Sequence, residues 1–421
     1  MMRCFALASL AFIAACASGG KQTLSPTVSM SAPPLTPRAL RLYHDGYVID
    51  THNDMPSKML DEGYDADVRH PAGFGPGKGN TDFPRLVESG LTAEFMSAFV
   101  DASFAQTPGA SFDRAIKYVD AIHAFTDRHP DRLLFATTAA DVRRAKQQGR
   151  VAILIGVEGG HAIEGSLDRL RVLYARGARY MTLTWNNGNA WAGSSIGAGS
   201  TRTGGLTDFG RQVVREMNRL GMLVDVSHTS DSTFFDAIAA SSAPVIASHS
   251  SARAINEHPR NLGDAQLRAI AANGGVVNVN FYSRFLDPAY RQRVEAVERI
   301  IAEERRAARA TPAVDTAAAR ARISAHHDSL MAAIPPTPFG VLIDHMVHVA
   351  KVAGVDHVGL GSDFDGVTAL PAGMEDVMQL PHVAQALLER GYSDSDVQKM
   401  LGGNMLRVMS LVLDRAPATR P

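Results

Sequence analysis

The chain has 421 residues, 45% of them apolar, so it is long enough to bury a large hydrophobic core. Its formal net charge is −1 at pH 7, and this balance implies no polyanion-binding surface and hence no nucleic-acid partner. The two cysteines, Cys4 and Cys16, both lie near the start of the chain, which excludes a disulfide framework as the basis of the fold.

Residues 1–15 have the pattern of a lipoprotein signal peptide. A short basic start precedes an apolar run from Phe5 to Ala15, which is too short to span a bilayer. The sequence Ile13-Ala14-Ala15-Cys16 then resembles a bacterial lipobox, in which the cysteine is lipidated and becomes the N-terminus. An ordinary secretory signal is the alternative. We expect lipidation of Cys16, which anchors a protein to a membrane without spanning it.

The residues after Cys16 predict a location and a domain boundary. Ala17 follows the cysteine where an aspartate often retains a lipoprotein at the inner membrane, so we expect a bacterial envelope protein that faces the periplasm from the outer membrane. Residues 16–38, rich in Ser, Thr, Pro, Gly and Ala, indicate a flexible tether. The domain is predicted over residues 39–413, with a polar tail at 414–421.

Eight short apolar runs are predicted as strands. They are nearly continuous rather than alternating, which is typical of strands buried on both faces of a parallel sheet. In chain order they are residues 48–54, 91–100, 151–157, 179–185, 222–227, 244–248, 275–281 and 357–362. Segments with helical spacing separate them, for example Phe112–Phe125, Leu167–Ala175 and Phe209–Leu220. The alternation predicts an α/β fold, and eight strands in one domain predict a closed (β/α)8 TIM-type barrel.

Residues of about 286–335 interrupt this alternation. They are rich in Arg, Glu and Ala, which indicates one or two exposed helices. We expect a solvated insertion between the seventh and eighth strands, and an active-site cover or an oligomer contact is the alternative.

Five of the predicted strands end in histidine or in an acidic residue, the types that bind metals or transfer protons. His52 and Asp54 are two residues apart at the end of the first run, so their side chains point to one face. The other four runs end in Glu158, His228, His249 and Asp363. Catalytic residues of such barrels lie at the carboxyl ends of the strands, so all six side chains are expected to meet there.

The number of ligands indicates two metal ions. Without Asp363 there are still five, whereas one catalytic zinc uses three protein ligands and a water. We assign His52 and Asp54 to one ion, the histidines at 228 and 249 to the other, and Glu158 as the bridge. Imidazoles mixed with carboxylates favour zinc, and manganese or cobalt could occupy the same ligands. Any one of these residues alone could be a loop, turn or helix-cap residue.

The chain resembles the membrane (renal) dipeptidases, which are zinc metallopeptidases of the amidohydrolase type. The resemblance rests on these segments: Asp50-Thr51-His52-Asn53-Asp54, Thr81-Asp82-Phe83-Pro84-Arg85-Leu86, Gly156-Val157-Glu158-Gly159-Gly160-His161, Ser227-His228, Ser248-His249-Ser250-Ser251-Ala252-Arg253, Arg260-Asn261 and Gly361-Ser362-Asp363-Phe364-Asp365-Gly366. It implies a (β/α)8 barrel with two zinc ions that hydrolyses dipeptides, including those with a D-residue at the carboxyl side. It also implies that Asp363 is the acid/base and that Arg260 holds the substrate carboxylate.

Trp185 departs from the family pattern. The family usually has a histidine at this position of the fourth predicted strand, where it polarises the substrate carbonyl or stabilises the oxyanion. Tryptophan donates one N–H but cannot carry an imidazolium charge. Asn187, Asn189 or the metal then takes over this role, or the substrate differs. We expect Trp185, Asn187 and Tyr282 to contact the substrate.

These expectations combine into a mechanism with two alternatives. A metal-bridging hydroxide attacks the peptide carbonyl, Asp363 transfers the proton to the leaving amine, and Arg260 grips the free carboxylate. The first alternative is an amidohydrolase acting on another small amide, a lactone or a β-lactam. The second is a catalytically decayed, lipid-anchored binding protein. The expected partners are small dipeptides and, through the lipid, a membrane; a homodimer is compatible with the sequence, in which no pattern identifies an interface.

Overall fold

The structure is a computed structural model that describes residues 29–196, 204–310 and 316–414. The predicted signal peptide, Cys16 and residues 17–28 of the predicted tether lie outside the described residues. So do residues 415–421 of the predicted tail.

Nine parallel strands form one sheet in the described part of the chain. They are β1 (Ile49–Asn53), β2 (Ala93–Phe99), β3 (Leu133–Phe135), β4 (Val151–Glu158), β5 (Ala178–Thr182), β6 (Leu223–Asp225), β7 (Ile246–Ala247), β8 (Val276–Val279) and β9 (Val358–Leu360). The order is β2-β1-β9-β8-β7-β6-β5-β4-β3, and β4 also pairs with β2. This last pairing closes eight strands into a barrel, so the predicted (β/α)8 fold is confirmed.

The sequence pattern does not predict β3. This three-residue strand pairs with Val151–Ile153 at the start of β4. Further along β4, Ile155–Glu158 pair with β5. β2 pairs with one edge of β4, and β3 and β5 share the other edge. The strand β3 is therefore a short addition beside the barrel and not a ninth strand of it.

Sixteen α-helices occur among the described residues. They are α1 (Pro37–Asp45), α2 (Met55–Asp61), α3 (Phe83–Glu88), α4 (Ala110–Arg128), α5 (Ala139–Gln147), α6 (Leu167–Ala175), α7 (Asp208–Leu220), α8 (Asp231–Ala240), α9 (Asp264–Asn273), α10 (Ser283–Leu286), α11 (Pro288–Ala310), α12 (Ala317–Ala332), α13 (Phe339–Ala353), α14 (Pro381–Glu389), α15 (Asp394–Gln398) and α16 (Asn404–Val412). Local signals set their ends: in α7, the Thr207 hydroxyl accepts from the Gly210 amide, and Gly221 ends the helix with φ 73°.

Two apolar clusters fill the barrel and surround it. The inner cluster takes one or more residues from most strands, among them Phe95, Leu154 and Tyr180, together with residues of α5 and α16. The outer cluster joins the opposite strand faces to the surrounding helices. Because successive strand residues point to opposite faces, both faces are apolar, which explains the continuous apolar runs in the sequence.

The predicted insertion consists of α11 and α12, two helices that pack through a small apolar cluster of their own. The members of this cluster are Val297, Ile301, Ala308 and Ile323. Among the described residues, none of the helices combines the length and the apolar character that crossing a bilayer requires.

The chain is joined to the barrel before the predicted domain start at residue 39. The carbonyls of Ser29 and Met30 accept from the amides of Gly340 and Phe339 at the start of α13. The Pro33 carbonyl lies 2.7 Å from Nδ1 of His382 on α14. The described part of the predicted tether, residues 29–38, therefore lies against α13 and α14.

Candidate metal centre

Six predicted site residues lie at one end of the barrel, and all six are buried. Each belongs to a strand end or to the loop that follows it: His52 and Asp54 at β1, Glu158 at β4, His228 after β6, His249 after β7 and Asp363 after β9. The carboxyl ends of parallel strands meet at this mouth, so the fold itself brings together residues that are up to 311 positions apart.

An irregularity in β1 prepares the first ligand. Asp50 pairs with Glu94 of β2, and Asn53 pairs with Met96. Two residues of β1 therefore stand opposite a single residue of β2, which is a β-bulge. The extra residue changes the face on which the following side chains lie, and His52 is one of the two residues in the bulge.

The bulge places His52 inside the barrel. Its ring lies 6.5 Å from that of Tyr180, a member of the inner cluster. Phe95 also belongs to this cluster, so the neighbouring Glu94 points outward. Asp50 pairs with Glu94 and shares its face. The Asp50 carboxylate thus points away from the cavity, although it is only two residues from His52.

Glu158 lies between two groups of side chains. Its Oε2 is 3.4 Å from Nε2 of His52, and that nitrogen is 3.2 Å from Oδ2 of Asp54. Its Oε1 is 2.9 Å from Nε2 of His228 and 3.6 Å from Nε2 of His249. One carboxylate oxygen thus faces each group of the predicted assignment, which is the geometry of a bridging ligand.

The three imidazoles are held by their other ring nitrogen. Nδ1 of His52 is 2.8 Å from the Tyr180 hydroxyl, which itself donates to the Thr51 carbonyl. The Tyr180 hydroxyl has only one proton, so it accepts from His52, and Nδ1 carries the hydrogen. The remaining nitrogen, Nε2, then has a free lone pair directed at Glu158.

The same reasoning fixes the other two rings. Nδ1 of His249 is 2.8 Å from the Ser248 hydroxyl, which donates to Asp225 and therefore accepts from the ring. Nδ1 of His228 is 3.0 Å from Oδ1 of Asn186, which is an acceptor. Both rings therefore also present a lone pair at Nε2.

This arrangement fits metal ions. Nε2 of His228 and Nε2 of His249 lie 2.8 Å apart, and both lone pairs face the Glu158 carboxylate. Such groups repel one another unless a cation lies among them. Among the residues that the structure describes, two sets of three have ligand atoms within 4.8 Å of one another: His52, Glu158 and His249, and His52, Asp54 and Asp363. Imidazole and carboxylate ligands with Nδ1 hydrogen-bonded behind each ring are typical of protein metal sites.

The electrostatics of the centre favour positive charge at its carboxylate side. Burial acts to lower the pKa of His52, but Tyr180, Asp54 and Glu158 raise it well above its ordinary value. The negative groups that raise this pKa attract a bound dication in the same way as they attract a proton. Burial, together with the Arg260 guanidinium, lowers the pKa of His228 to about 3, so this ring is neutral and free to bind a metal.

Asp363 is held in a strained position beside the centre. Its φ of 63° lies in the left-handed region, which few non-glycine residues adopt and which costs free energy unless the surroundings hold it. Its amide donates to the His52 carbonyl, and Nδ2 of Asn280 donates to its Oδ2 at 2.7 Å. Burial, with Asp54 and Glu158 nearby, raises the pKa of Asp363 to about 7.

Arg260 is a buried cation without a carboxylate partner in the described part of the chain. Its Nη2 donates to the His249 carbonyl at 3.1 Å, and its Nη1 lies 3.5 Å from the Ser250 hydroxyl. Its Nε makes no hydrogen bond, and its Cζ lies 5.4 Å from the centre of the Phe285 ring. An uncompensated buried guanidinium is costly, and an anion bound beside it would remove that cost.

A cavity of about 260 Å³ opens above the metal centre. Two aromatic pairs line it: Phe99 with Trp185, whose rings are 4.8 Å apart, and Tyr282 with Phe285, also 4.8 Å apart. The predicted substrate contacts Trp185 and Tyr282 therefore lie on the cavity wall. A space of this size suits a small ligand.

Asn187 lies elsewhere than the prediction placed it. It lines a neighbouring cavity of about 350 Å³, together with His161 and Asn189. Asn186 lines the central cavity instead and holds His228. Successive residues of this loop point to opposite sides, and a sequence without coordinates does not show which of the two asparagines turns inward.

The pattern of strand-end residues misses several side chains that build the site. Tyr180, Ser248 and Asn186 support the three rings, and none of them was predicted to do so. Asp365 lines the central cavity and also has a positive φ, of 64°. Its position in Asp363-Phe364-Asp365-Gly366, where a glycine follows two aspartates at a strand end, was the available signal.

Comparisons with known proteins agree with this geometry. The family model described as membrane dipeptidase (peptidase family M19) matches residues 36–420. The solved structure of the probable dipeptidase PvdM from Pseudomonas aeruginosa is 26% identical with a TM-score of 0.77, and the match covers 90% of this chain and 98% of that one. A metallopeptidase called dipeptidase AC is 27% identical with a TM-score of 0.68, covering 87% of this chain and 98% of that one.

A third structure was solved with a ligand. It is a metallopeptidase from Rhodobacter sphaeroides bound to a phosphinate mimic of the dipeptide L-Ala-D-Ala. It is 25% identical with a TM-score of 0.68, and the match covers 87% of this chain and 99% of that one.

Proposed function

Because this chain belongs to the membrane dipeptidase family and is therefore a metal-dependent dipeptidase, we propose that it uses two zinc ions to hydrolyse dipeptides, including those with a D-residue at the carboxyl end. The resemblance found in the sequence is confirmed at the level of the family. The identity and number of the ions, the stereochemistry and the mechanism are parts of the proposal.

The position of Glu158 carries the proposal of two ions. Its two oxygens face separate groups, with His52 and Asp54 on one side and the rings of His228 and His249 on the other. A single ion would leave one of these groups without a cation. Two ions with an open side toward the cavity would lower the pKa of a water and polarise a carbonyl.

The residues of the chain supply the remaining steps. Arg260 offers its unused N–H groups to the substrate carboxylate, which fixes the carboxyl-terminal residue. Asp363 takes a proton from the attacking water and delivers it to the amine that leaves. Asn280 keeps the Asp363 carboxylate in place through its 2.7 Å hydrogen bond. Phe99 and Trp185 exclude water from one side of the cavity.

A relative supports the expected stereochemistry. The Rhodobacter sphaeroides metallopeptidase binds a mimic of L-Ala-D-Ala, and the matched region covers 87% of this chain. The site residues lie within the region matched by the family model, residues 36–420. We therefore include L-Xaa-D-Xaa dipeptides among the proposed substrates, and recycling of cell-wall dipeptides is the corresponding role.

The proposed location rests on the sequence alone. Cys16 and the signal peptide lie outside the described residues, so lipidation and outer-membrane attachment remain proposals. Expression in a Gram-negative host with labelled palmitate tests them. Label in the wild-type protein but not in Cys16→Ser, with the wild-type protein in the outer-membrane fraction, is the expected result.

Metal-dependent turnover tests the enzymatic proposal. The purified protein is stripped with a chelator, reloaded with zinc, manganese or cobalt, and assayed with a panel of L-Xaa-L-Xaa and L-Xaa-D-Xaa dipeptides. We expect two zinc ions per chain by elemental analysis and activity that returns with the second equivalent. Activity that saturates at one equivalent would contradict the paired centre, and no hydrolysis of any dipeptide would contradict the substrate.

Trp185 favours a second candidate substrate class. It occupies the cavity wall where the family resemblance leads us to expect a histidine, and its ring packs against Phe99. An N-acyl amino acid, a lactone or a β-lactam is the alternative. A higher kcat/KM for one of these compounds than for every dipeptide of the panel would reverse the order of the two candidates.

A further inference from the structure

A buried carboxylate below the metal centre has no role in the proposed reaction. Asp225 is the last residue of β6, is fully buried and is not among the residues that line the central cavity. Leu223 belongs to the inner cluster, so Asp225, two residues further along the strand, also points into the barrel. By the same alternation, Thr182 of β5 and Ser248 after β7 point inward. These three polar side chains form one layer across neighbouring strand ends.

The Asp225 carboxylate accepts four hydrogen bonds, which occupy both of its oxygens. Oδ1 accepts from the backbone amides of Ser227 at 3.0 Å and Ser248 at 2.8 Å. Oδ2 accepts from the hydroxyls of Ser248 at 2.6 Å and Thr182 at 2.5 Å. Because four donors point at it, this carboxylate carries no proton and acts only as an acceptor. The direction of all four hydrogen bonds is therefore fixed.

This direction passes through Ser248 to a predicted metal ligand. The Ser248 hydroxyl donates its one proton to Asp225, so its oxygen accepts from Nδ1 of His249 at 2.8 Å. The Ser227 hydroxyl, 3.4 Å from that of Ser248, accepts from the His249 amide at 3.0 Å instead. The ring proton of His249 therefore lies on Nδ1, and Nε2 has the lone pair that a metal ion requires.

Without Asp225, the Ser248 hydroxyl could point the other way. A hydroxyl that donated to Nδ1 would place the ring proton of a neutral His249 on Nε2. This nitrogen lies 3.6 Å from Oε1 of Glu158 and 2.8 Å from Nε2 of His228. A protonated Nε2 has no lone pair for a metal. The direction of one buried hydroxyl thus decides whether His249 can act as a ligand.

We propose that Asp225 is a positioning residue that selects, through Ser248, the metal-binding tautomer of His249. This inference rests on the proposed function, because it assumes a metal centre at Glu158, but it does not depend on the substrate. The negative charge behind Nδ1 also makes the ring a stronger ligand. The layer of Thr182, Asp225 and Ser248 therefore orients the ring before any ion binds.

Asp225→Asn tests the direction of these hydrogen bonds. The two backbone amides require the carbonyl oxygen of the new side chain, so its NH2 group faces the hydroxyls of Ser248 and Thr182. Ser248 then accepts from this NH2 group and donates to His249. We expect ¹⁵N NMR of the full chain, labelled in histidine and free of metal, to show the His249 proton on Nδ1 in the wild type and on Nε2 in the variant. His249→Gln assigns the signal.

Zinc titration shows whether Asp225 acts through Ser248. Loss of such a supporting contact lowers metal affinity by about 10–100-fold, and we expect this loss in Asp225→Asn and in Ser248→Ala. The double variant should lose no more than either single variant, whereas independent effects would multiply. Thr182→Val is the matched control. It removes another hydrogen bond to the same carboxylate oxygen but none to a histidine ring, so it should keep the wild-type affinity.

The outcomes separate this inference from the function on which it rests. A His249 proton on Nε2 in the metal-free wild type would overturn it without any variant, and so would an unchanged proton position in Asp225→Asn. An equal loss of zinc affinity in Thr182→Val would show a general structural role and contradict it. If Asp225→Asn does not fold, wild-type zinc affinity in Ser248→Ala contradicts the proposal and a loss supports it. A wild type with the expected ring proton that hydrolyses no dipeptide would remove the proposed substrate and leave this inference standing.

Discussion

Tyr180 occupies the space that a β-carbon on Gly156 would need. An ideal Cβ at position 156 would lie 1.9 Å from Cζ of the Tyr180 ring, and the two residues are register partners in β4 and β5. The absence of a side chain at 156 lets the ring lie flat across the inner face of β4. The hydroxyl then reaches Nδ1 of His52. Gly156, two residues before Glu158, thus helps to position a different predicted ligand, His52.

Gly156→Ala should displace the Tyr180 ring and loosen His52. Overpacking of this kind destabilises a protein by about 1–3 kcal/mol, and loss of a hydrogen bond behind a metal-binding histidine lowers metal affinity by about 10–100-fold. Tyr180→Phe should lower zinc affinity by a similar factor without any overpacking, and it should cost about 1–3 kcal/mol of stability because Nδ1 of His52 and the Thr51 carbonyl lose their buried partner. Zinc titration measures the effect on the metal site, and urea unfolding measures the effect on the fold. Equal zinc affinity in Tyr180→Phe and the wild type would contradict the role of the hydroxyl.

Glu158→Gln should empty the paired centre of at least one ion. The amide cannot bridge two cations, and the lone pairs of His228 and His249 lose the charge that balances an ion. We expect the zinc content to fall and kcat/KM to fall by about 10³-fold or more, since the loss amounts to several kcal/mol. Glu164→Gln is the matched control, because Glu164 follows the same strand but bonds to the amides of α4. Two bound zinc ions in Glu158→Gln would argue against the bridge.

Arg260→Lys should raise KM far more than it changes kcat. Lysine keeps the charge but cannot form two parallel hydrogen bonds to a carboxylate. Hydrogen bonds to charged groups contribute about 1.5–3 kcal/mol, so we expect about a 10–100-fold loss in kcat/KM. The control is a dipeptide amide, which lacks the carboxylate and should be hydrolysed equally poorly by both enzymes. A similar loss on the amide would mean that Arg260 acts through His249, whose carbonyl it holds.

His345 should make the protein less stable below neutral pH. It lies buried between the Ala252 amide, which donates to its Nδ1, and the Leu286 carbonyl, which accepts from its Nε2. Burial lowers the pKa of His345 from 6.5 to about 4. The unfolded chain therefore binds more protons between pH 4 and 6.5, and stability falls as the pH falls through this window. The full effect is about 3 kcal/mol for such a shift.

His345→Gln provides the comparison for this pH dependence. Glutamine can accept from Ala252 and donate to Leu286 without titrating. The free energy of unfolding of the variant, measured in urea between pH 4 and 7, should change less with pH than that of the wild type. Parallel curves for the two proteins would assign the acid sensitivity to other groups.

Arg85→Met should be strongly destabilising. It leaves the buried carboxylates of Asp82 and Asp376 without their cation, and breaking such an arrangement costs about 3–5 kcal/mol. Adding Asp82→Asn and Asp376→Asn should restore most of the lost stability, because the uncompensated charges are removed. The asparagine introduced at position 82 would still serve as the N-cap of α3. A triple variant that is no more stable than Arg85→Met would contradict this explanation.

The sequence predicts the barrel because its signal is repeated. Each of eight strands is a continuous apolar run, and the helix α6 has the predicted bounds, Leu167–Ala175. The strand β3 has only three residues, Leu133–Phe135, and follows α4 closely. Such a short run cannot be distinguished from the apolar end of a loop, and its position beside β4 depends on the barrel already being formed.

The sequence predicts which residues form the site better than it predicts which side chains hold them in place. Ligand types at strand ends are visible because the fold directs all strand ends to one mouth. The direction of a side chain in a loop is not visible, and so Asn187 was expected where Asn186 lies. The positive φ of His228 and Asp363 is likewise a product of tertiary contacts, since neither residue type requires it.

The bulge in β1 sets a condition for anyone who wishes to transplant this centre into a designed enzyme. A recipient scaffold with a regular first strand would display a grafted histidine on its helix-facing side, buried among aliphatic groups, whatever the accuracy of the other ligand positions. The insertion must be copied with the ligands, and a single-codon deletion in this strand of the natural gene should abolish zinc uptake while the barrel still assembles.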